Sequence, residues 1–387
     1  MGGEEALSSG DKFGGKESNQ KKRLHSEKPP FTLAMLKKAI PPHCFERSLL
    51  RSLFDISCDI AICSTLFYAA KTIIPILPHP LQYVAWPTYW VVQGIYMSGL
   101  WGLGHELGHN GFSDYAWVDN LIGFVLHSAL MTPYFSWKYS HRRHHSNTAS
   151  LHYDEVYPPP LKDSLPWYAR YLENPVCRAI GTVGMLFTAF PLYFLVNAYS
   201  RKYDSFANHF YPYSPIFNDS ERLQVVISDA GILAALYVCY SVAKAYGFAW
   251  LFCIYLGPLL IMFAMVISIT YLQHTNPTLP HYDDSEWEWL RGGLCTIDLD
   301  LGPWINSVFH QTVVTHLCHH LFPTIPHYHA LEATEAIKPI LGDYYQRDST
   351  PFLKMLDRAA RECVYAEPEE DPNNKGVYWW KPYKHKI

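Results

Sequence analysis

Four long apolar stretches limit what this chain can fold into. Residues 53–77, 82–104, 225–243 and 248–272 are each close to the 20 or so residues that a helix needs to cross about 30 Å of hydrocarbon. Short segments join the first to the second and the third to the fourth, so they form two hairpins. Buried helices of a soluble protein are the alternative, but Trp and Tyr near the ends of the second stretch resemble an aromatic belt. We therefore predict an all-α integral membrane helical bundle with about four transmembrane helices.

The distribution of positive charge predicts how this bundle is oriented. Arg47 and Arg51 precede the first stretch, whereas the joint at residues 78–81 has no Lys or Arg, which places the N-terminus in the cytosol. A fifth stretch, residues 179–198, is interrupted by Pro191 and has basic residues at both ends, so we expect it to lie in the membrane interface. Four crossings then return the chain to the cytosol, and both termini are predicted to be cytosolic.

The terminal segments and the composition indicate how many domains to expect and which partners to exclude. Residues 1–30 mix Gly, Ser and charges without periodicity and predict a disordered cytosolic tail, followed by one membrane domain over residues 31–387. No cleavable signal peptide is expected, because no apolar stretch follows the basic residues. A net charge of −4 gives no support for a nucleic-acid partner. Nine Cys without CxxC spacing favour reduced thiols over disulfides or a cysteine zinc cluster.

Three histidine clusters, each beginning close to the end of an apolar stretch, have the spacing of metal ligands. They are His105 and His109; His141, His144 and His145; and His316, His319 and His320. Residues three or four apart share one face of a helix, so each cluster would direct two or three imidazoles to one point. Eight imidazoles exceed what one four-coordinate zinc needs, and nitrogen ligands suit iron, copper, nickel or zinc. Two non-haem iron ions sharing the eight histidines is the simplest interpretation.

The predicted topology provides an independent check on this interpretation. The first two clusters follow two crossings and the third follows four, so all three face the cytosol. Counting residues 179–198 as a full crossing would place the third cluster on the opposite side. We therefore predict a cytosolic, histidine-rich di-iron cap on the membrane bundle, with no catalytic residue separable from the metal ligands.

These clusters, together with residues 133–141, 154–156, 207–210 and 280–283, resemble the plant microsomal oleate (delta-12) desaturase family of integral-membrane fatty acid desaturases. The similarity runs from about Pro29 to the last residue. It implies a di-iron oxidoreductase that acts on fatty acyl lipids, with O2 as co-substrate and electrons from NADH through cytochrome b5, in the endoplasmic reticulum membrane. Residues 383–387 resemble a retention signal for that membrane, although a plain charged terminus is the alternative.

Several positions depart from the pattern of ordinary oleate desaturases. Asn110 and Asn276 replace expected histidines, Leu107 replaces Cys, and Val314 replaces an acidic residue. An amide carbonyl could still bind iron, directly or through water. Gly104 resembles the divergent branch that makes triple, conjugated or trans double bonds. We therefore expect a divergent, acetylenase- or conjugase-like member that introduces unsaturation near the delta-12 position; a catalytically weakened paralogue is the alternative.

A competing prediction comes from the first cluster alone. His105, Glu106 and His109 satisfy HExxH, in which the Glu of a zinc metalloprotease activates a metal-bound water. An intramembrane protease would leave the second and third clusters unexplained. A non-catalytic membrane metal carrier is a third class, but it would need ligands within the bilayer rather than at the ends of spans. Metal content separates the classes, since the protease would hold one zinc per chain.

Overall fold

The backbone is dominated by helices of widely different lengths. A computed structural model describes residues 23–370 and 375–383. Within them the α-helices are α1 (Leu33–Ala39), α2 (Leu49–Ile73), α3 (His79–Gly108), α4 (Ala116–Ala129), α5 (Tyr134–Asn147), α6 (Pro175–Val196), α7 (Arg222–Tyr246), α8 (Phe248–Leu251), α9 (Gly257–His274), α10 (Trp289–Gly293), α11 (Pro303–Val308), α12 (His316–Leu321), α13 (His327–Leu341) and α14 (Phe352–Glu362). A π-helical turn, Phe252–Leu256, joins α8 to α9.

The strands are short and belong to the segments that follow the long helices. They are β1 (Pro280–Tyr282), β2 (Asp298–Leu299), β3 (Arg347–Asp348), β4 (Tyr365–Pro368) and β5 (Val377–Lys381). One antiparallel sheet has the order β1-β5-β4, with Pro280 opposite Trp379, and β2 pairs with β3 in parallel. The strands contain few residues, and the rest of the regular structure is helical. The prediction of an all-α membrane bundle is therefore confirmed.

Four helical segments among the described residues are long and apolar enough to cross a membrane. They are Leu49–Ile76, Pro175–Val196, Arg222–Tyr246 and Phe248–His274. Three contain predicted spans. The predicted span at residues 82–104 lies in the 30-residue α3, which is absent from this set, and the stretch predicted to be interfacial is present as α6. The second half of α3 is buried among other helices, so protein contacts rather than lipid surround it.

Helix α3 is the central element, since α2, α4 and α9 all pack against it. Its contact with α9 is very close at Gly94, where an added Cβ would lie 2.6 Å from Cβ of Ile261. Small residues permit such close approach between membrane helices, where dispersion contacts are the main attraction. This packing holds the C-terminal ends of α3 and α9 beside each other.

Helix α6 has well-formed ends that both contact the segments around the histidine clusters. Asn174 caps its first turn by accepting hydrogen bonds from the amides of Val176 and Cys177, and Asn197 ends it with a left-handed φ of 53°. Near its start, Arg178 lies 3.5 Å from Asp357 of α14. In its last turn, the carbonyl of Phe194 accepts a hydrogen bond from the amide of His209, which lies in the loop between α6 and α7.

Residues at the end of the predicted N-terminal tail contact the folded body. Leu24 is buried, and its amide donates a hydrogen bond to the carbonyl of Thr278. The Arg23 guanidinium lies 4.4 Å from the centre of the Trp379 ring. Residues 23–30 therefore pack on the folded body, because Leu24 has an apolar site to fill. The prediction for residues 1–22 and most of the predicted retention signal, residues 384–387, lie outside the described residues.

Candidate metal centre

The three predicted histidine clusters lie close together in space, and a further histidine from another helix joins them. His105 and His109 lie at the end of α3, and α5 carries the second cluster. Helix α12 carries the third cluster. His274 is the last residue of α9 and joins them. The nine rings form two sets that share the α5 and α12 clusters.

The first histidine set contains five rings, which come from all three predicted clusters. Its members are His105, His109, His141, His145 and His319, and one ring nitrogen from each lies within 4.8 Å of the others. Nε2 of His141 lies 2.8 Å from Nε2 of His105 and 3.1 Å from Nε2 of His145. Five donors therefore converge on a single point.

The second histidine set contains His144, His274, His316 and His320. Nε2 of His274 lies 3.3 Å from Nε2 of His144 and 3.1 Å from Nε2 of His316. Nε2 of His320 lies 3.2 Å from Nε2 of His316. The two sets are neighbours, because the rings of His145 and His320 stack with their centres 4.1 Å apart.

Both sets fit a bound metal ion. Metal–imidazole bonds of about 2.0–2.1 Å place two ligand nitrogens roughly 2.9–3.4 Å apart in octahedral or tetrahedral arrangements. The measured separations of 2.8 to 3.3 Å are close to this range. In addition, Nε2 of His109 and Nε2 of His319 are buried without a hydrogen-bond partner. Buried polar atoms normally have partners, so a cation is the expected occupant.

Acceptor groups lie behind several of these rings. Oε1 of Glu106 is 3.1 Å from Nδ1 of His105 and 3.4 Å from Nδ1 of His319. Oδ1 of Asp154 is 2.6 Å from Nδ1 of His144. A proton on Nδ1 that is donated to a carboxylate leaves Nε2 as the free lone pair, and it raises the basicity of the ring as a ligand.

The position of Glu106 argues against the protease. In HExxH proteases the Glu must reach a water on the metal, between the two His ligands. Here the buried carboxylate lies on the Nδ1 side of His105, away from the Nε2 atom that faces His141. The HExxH spacing is therefore accounted for by a ring of the first histidine set and its hydrogen-bond acceptor, and the protease is not favoured.

The rings are poised to bind a cation rather than a proton. Burial, followed by repulsion from neighbouring imidazoles, lowers the pKa of His109, His141 and His319 well below the usual value. These histidines are therefore neutral at physiological pH, the state in which imidazole coordinates metals.

The residues that depart from the family pattern have structural roles elsewhere. Oδ1 of Asn110 accepts a hydrogen bond from Lys138 Nζ at 3.1 Å. Oδ1 of Asn276 accepts from the amide and hydroxyl of Thr278. Val314 and Leu107 are buried in apolar clusters. The side-chain oxygens of both amides thus have hydrogen-bond partners outside the two histidine sets.

A cavity lined by members of both histidine sets lies beside the candidate metal centre. The lining rings are His105, His141 and His319 from the first set and His144, His274 and His316 from the second. Most of the remaining wall is apolar and comes from α3, α5, α6, α9 and the segment after α11; it includes Trp101, Trp137, Ala189, Phe190, Phe194, Val266, Ile269, Phe309 and Val313. Such a cavity suits an apolar ligand that has to reach the metal centre.

Sequence reasoning identified eight of the nine rings and missed His274. A solitary histidine gives no spacing pattern, so the helical-face argument cannot detect it. Its position did contain a signal, because it directly follows the apolar stretch at residues 248–272, as the other clusters lie near the ends of such stretches. Sequence spacing also gives no hydrogen-bonding role to the two carboxylates, Glu106 and Asp154, that the structure places behind these rings.

Comparison with known proteins agrees with the geometry. The family described as fatty acid desaturase matches residues 84–352. The chain is 56% identical over 369 residues to a delta(12)-acyl-lipid desaturase of Punica granatum, which covers 95% of both chains. It is also 56% identical over 365 residues to a delta(12) acyl-lipid conjugase (11E,13E-forming) of Impatiens balsamina, covering 94% of this chain and 95% of that one.

A third relative is an omega-6 fatty acid desaturase, endoplasmic reticulum, of Brassica juncea. It is 54% identical over 365 residues, which cover 94% of this chain and 95% of the relative. The family match and these near full-length identities confirm the resemblance inferred from the histidine motifs. The chain therefore belongs to the fatty acid desaturase family, in the group of plant delta-12 acyl-lipid desaturases and conjugases.

Proposed function

We propose that this protein is a di-iron enzyme that introduces unsaturation near the delta-12 position of fatty acyl chains in lipids. The observation that carries the proposal is the apolar cavity whose walls include members of both histidine sets. An acyl chain in this cavity would present its methylene groups to the metals. The names of the relatives, two of which are delta-12 enzymes, support the position on the chain.

Each histidine set would hold one iron. The first iron would have His105, His109, His141, His145 and His319 as ligands, and the second would have His144, His274, His316 and His320. Breaking an unactivated C–H bond is beyond any side-chain acid or base, so bound iron supplies the activation of O2. The reaction balances when two hydrogens leave the chain and O2 takes them up with two further protons and two electrons, giving two waters.

The protein's own contribution is to position the chain and to exclude water. The Trp137 ring stacks on His141 with centres 4.7 Å apart, and Phe190 stacks on Phe263 at 4.5 Å. The indole N–H of Trp101 donates to Thr132 Oγ1 at 3.0 Å. These contacts fix aromatic walls beside the ligand rings, and the outcome of such a reaction depends on placement to within about an ångström.

The product is proposed to be an unusual fatty acid. The desaturase and the conjugase named above are equally similar to this chain, so overall identity does not distinguish their activities. Gly104, immediately before the first ligand, supports a divergent acetylenase- or conjugase-like activity that yields a double, conjugated or triple bond. A weakened paralogue is less favoured, because the nine rings converge and the replaced amides lie outside both sets.

The proposed setting is the endoplasmic reticulum membrane, with O2 as co-substrate and cytochrome b5 passing electrons from NADH. The name of the Brassica juncea relative supports the membrane. We propose four crossings, by α2, α3, α7 and the continuous segment of α8 and α9, with both termini cytosolic. Helix α6 would lie in the interface, which agrees with the contacts of both its ends to segments around the histidine sets.

Expression in yeast supplied with oleate or linoleate tests this function. Gas chromatography with mass spectrometry of the lipids should reveal a new fatty acid that carries a modification near carbon 12. Linoleate as the sole new product would overturn the divergent specificity but keep the desaturase. Iron-loaded protein in the membrane without any new product would overturn the activity itself.

Ligand variants test the metal assignment. His144→Ala, His274→Ala and His319→Ala should each abolish the product while the protein stays in the membrane. His281→Ala is the control, because His281 is also a buried histidine but belongs to neither set, and its ring packs edge to face on Trp380. Product formation by His274→Ala at the level of the control would remove His274 from the ligand set.

A further inference from the structure

A third cluster of metal-ligating side chains lies apart from both histidine sets. His43 and Cys44 belong to a 3-10 turn, Pro42–Phe45, that precedes α2. His329 and Glu332 lie one turn apart on the same face of α13. One donor atom from each of the four lies within 4.8 Å of the others. Two segments almost 300 residues apart in sequence thus contribute a pair of donors each.

The distances within this cluster are close to those of a tetrahedral metal site. Nε2 of His43 is 3.0 Å from Oε2 of Glu332 and 3.7 Å from Sγ of Cys44. Zinc bonds of about 2.0–2.2 Å to nitrogen or oxygen and about 2.3 Å to sulfur would place these pairs roughly 3.3 and 3.6 Å apart. The rings of His43 and His329 meet edge to face with centres 5.4 Å apart. Only small shifts would therefore be needed for all four to bind one ion.

The four donor side chains differ in their exposure to solvent. Cys44 is completely buried in an apolar cluster with Leu36, Ile337 and Leu341. The side chains of His43 and Glu332 are about half exposed, at 50% and 52%. An ion could thus enter from the solvent and bind a thiol that packing already holds in place.

We propose that His43, Cys44, His329 and Glu332 form a structural zinc site. Two imidazoles, a thiol and a carboxylate are donors that zinc accepts in protein sites, whereas calcium and magnesium prefer all-oxygen ligands. With the thiol deprotonated by the ion, a thiolate and a carboxylate balance the two charges of zinc. Four protein ligands leave no open position, so the site is structural rather than catalytic.

The zinc would fasten the segment after the third histidine cluster to the start of the first membrane helix. The hydroxyl of Tyr328 accepts a hydrogen bond from the amide of Ser48, which caps α2. Nε2 of His327 lies 2.9 Å from Oδ2 of Asp55 in α2. Phe45 packs edge to face on Phe322, which follows α12 directly. The site thus lies where α13, α2 and the end of α12 meet.

Metal analysis of purified protein tests the proposal. The protein is produced with an affinity tag that contains no histidine, solubilised in mild detergent and dialysed against micromolar zinc and a weak chelator. Mass spectrometry of the metals should find about one zinc per chain in addition to any metal in the two histidine sets. His329→Asn, Glu332→Gln and Cys44→Ser should each remove it, since losing an outer partner alone typically costs about 10–100-fold in affinity.

Matched controls separate this site from other binding. His152→Asn removes an exposed histidine paired with Asp284 at 3.0 Å, and Cys177→Ser removes an exposed thiol; both should keep the zinc. Zinc that has entered the iron positions would be unaffected by His329→Asn. Because Cys44→Ser alters a buried residue, the exposed Glu332→Gln variant serves as the check that does not disturb packing.

Thermal unfolding gives a second measurement that does not depend on activity. Zinc should raise the unfolding temperature of the wild-type protein but not that of His329→Asn, while both keep the same iron content. Equal zinc content in the wild type and the three ligand variants would overturn the proposal. So would the absence of zinc-dependent stabilisation in the wild type.

Discussion

At the scale of single residues, the carboxylates behind the rings of the two histidine sets determine how well those rings could bind metal. Glu106 serves two rings of the first set, whereas Asp154 serves His144 of the second. Oδ2 of Asp154 also accepts a hydrogen bond from the amide of Ala149 at 2.8 Å, which fixes the turn after α5. Each carboxylate therefore fixes the orientation of its histidines, although neither is expected to touch the metal.

Removing the charge of Glu106 should weaken the first set. Glu106→Gln keeps the shape of the side chain but gives His105 and His319 a weaker acceptor, so we expect iron affinity or activity to fall about 10–100-fold. Iron content and fatty acid product are measured together. Glu288→Gln, at a surface glutamate paired with Lys28, is the control. Unchanged iron content and product in Glu106→Gln would contradict this role.

Gly104 has a steric role that follows directly from its neighbours. A Cβ at this position would lie 2.3 Å from the His127 ring, which is fully buried and stacks on Trp101 with centres 5.2 Å apart. The ring and Trp101 would have to move together. Since Trp101 lines the cavity, this glycine connects packing behind α3 with the shape of the substrate site.

Gly104→Ala should therefore destabilise the protein and alter its products. Overpacking of this kind costs about 1–3 kcal/mol in the free energy of unfolding. The double variant Gly104→Ala with His127→Ala should recover part of that loss, because the smaller side chain makes room for the new methyl group. Thermal unfolding and the fatty acid profile measure both effects. Additive losses in the double variant would argue against the steric coupling.

At the scale of helices, the sequence predicted the length of each apolar segment, but it could not predict which helices would pack around it. Residues 53–77, 225–243 and 248–272 lie in helical segments that satisfy length and composition. Helix α3 does not, because its polar and aromatic residues, such as Gln93 and Trp90, lower its mean hydropathy; its burial among other helices makes room for them. Spacing likewise predicted eight rings of the two histidine sets, whereas the place of His274 in the second set and the bond of Asn110 to Lys138 depend on tertiary contacts.

The placement of α6 can be tested by thiol labelling in sealed microsomes. If α6 lies in the interface, both of its ends face the cytosol. A membrane-impermeant maleimide added outside should label the exposed native Cys177 near its start, and Lys202→Cys past its end in a Cys177→Ser background. His79→Cys, at the start of α3, should be protected and serves as the control. Labelling at only one end would show that α6 crosses the bilayer.

At the scale of the whole molecule, the nine rings connect elements from distant parts of the sequence. The first set joins α3, α5 and α12, and the second joins α5, α9 and α12. A metal that binds only the folded arrangement stabilises it by mass action, by about 2.7 kcal/mol at a concentration 100 times the dissociation constant. Iron should therefore contribute to folding stability as well as to chemistry.

Reloading of metal-free protein tests this coupling. Ferrous iron added under anaerobic conditions should raise the unfolding temperature in detergent, because the unfolded chain lacks both histidine sets. The double variant His144→Ala with His319→Ala, which lacks one ring from each set, should show a much smaller shift. An equal shift in the double variant would mean that iron stabilises the protein through other groups.

Helix α5 contributes histidines to both sets: His141 and His145 belong to the first set, and His144 belongs to the second. The offset between the two sets is thus defined along a single rigid rod, by a rise of about 1.5 Å per residue and its 3.6-residue pitch. Lipid-driven tilting of the membrane spans would shift the partners around this rod but would leave its own spacing intact. The separation between two metals bound by these histidines would therefore stay constant in bilayers of different thickness.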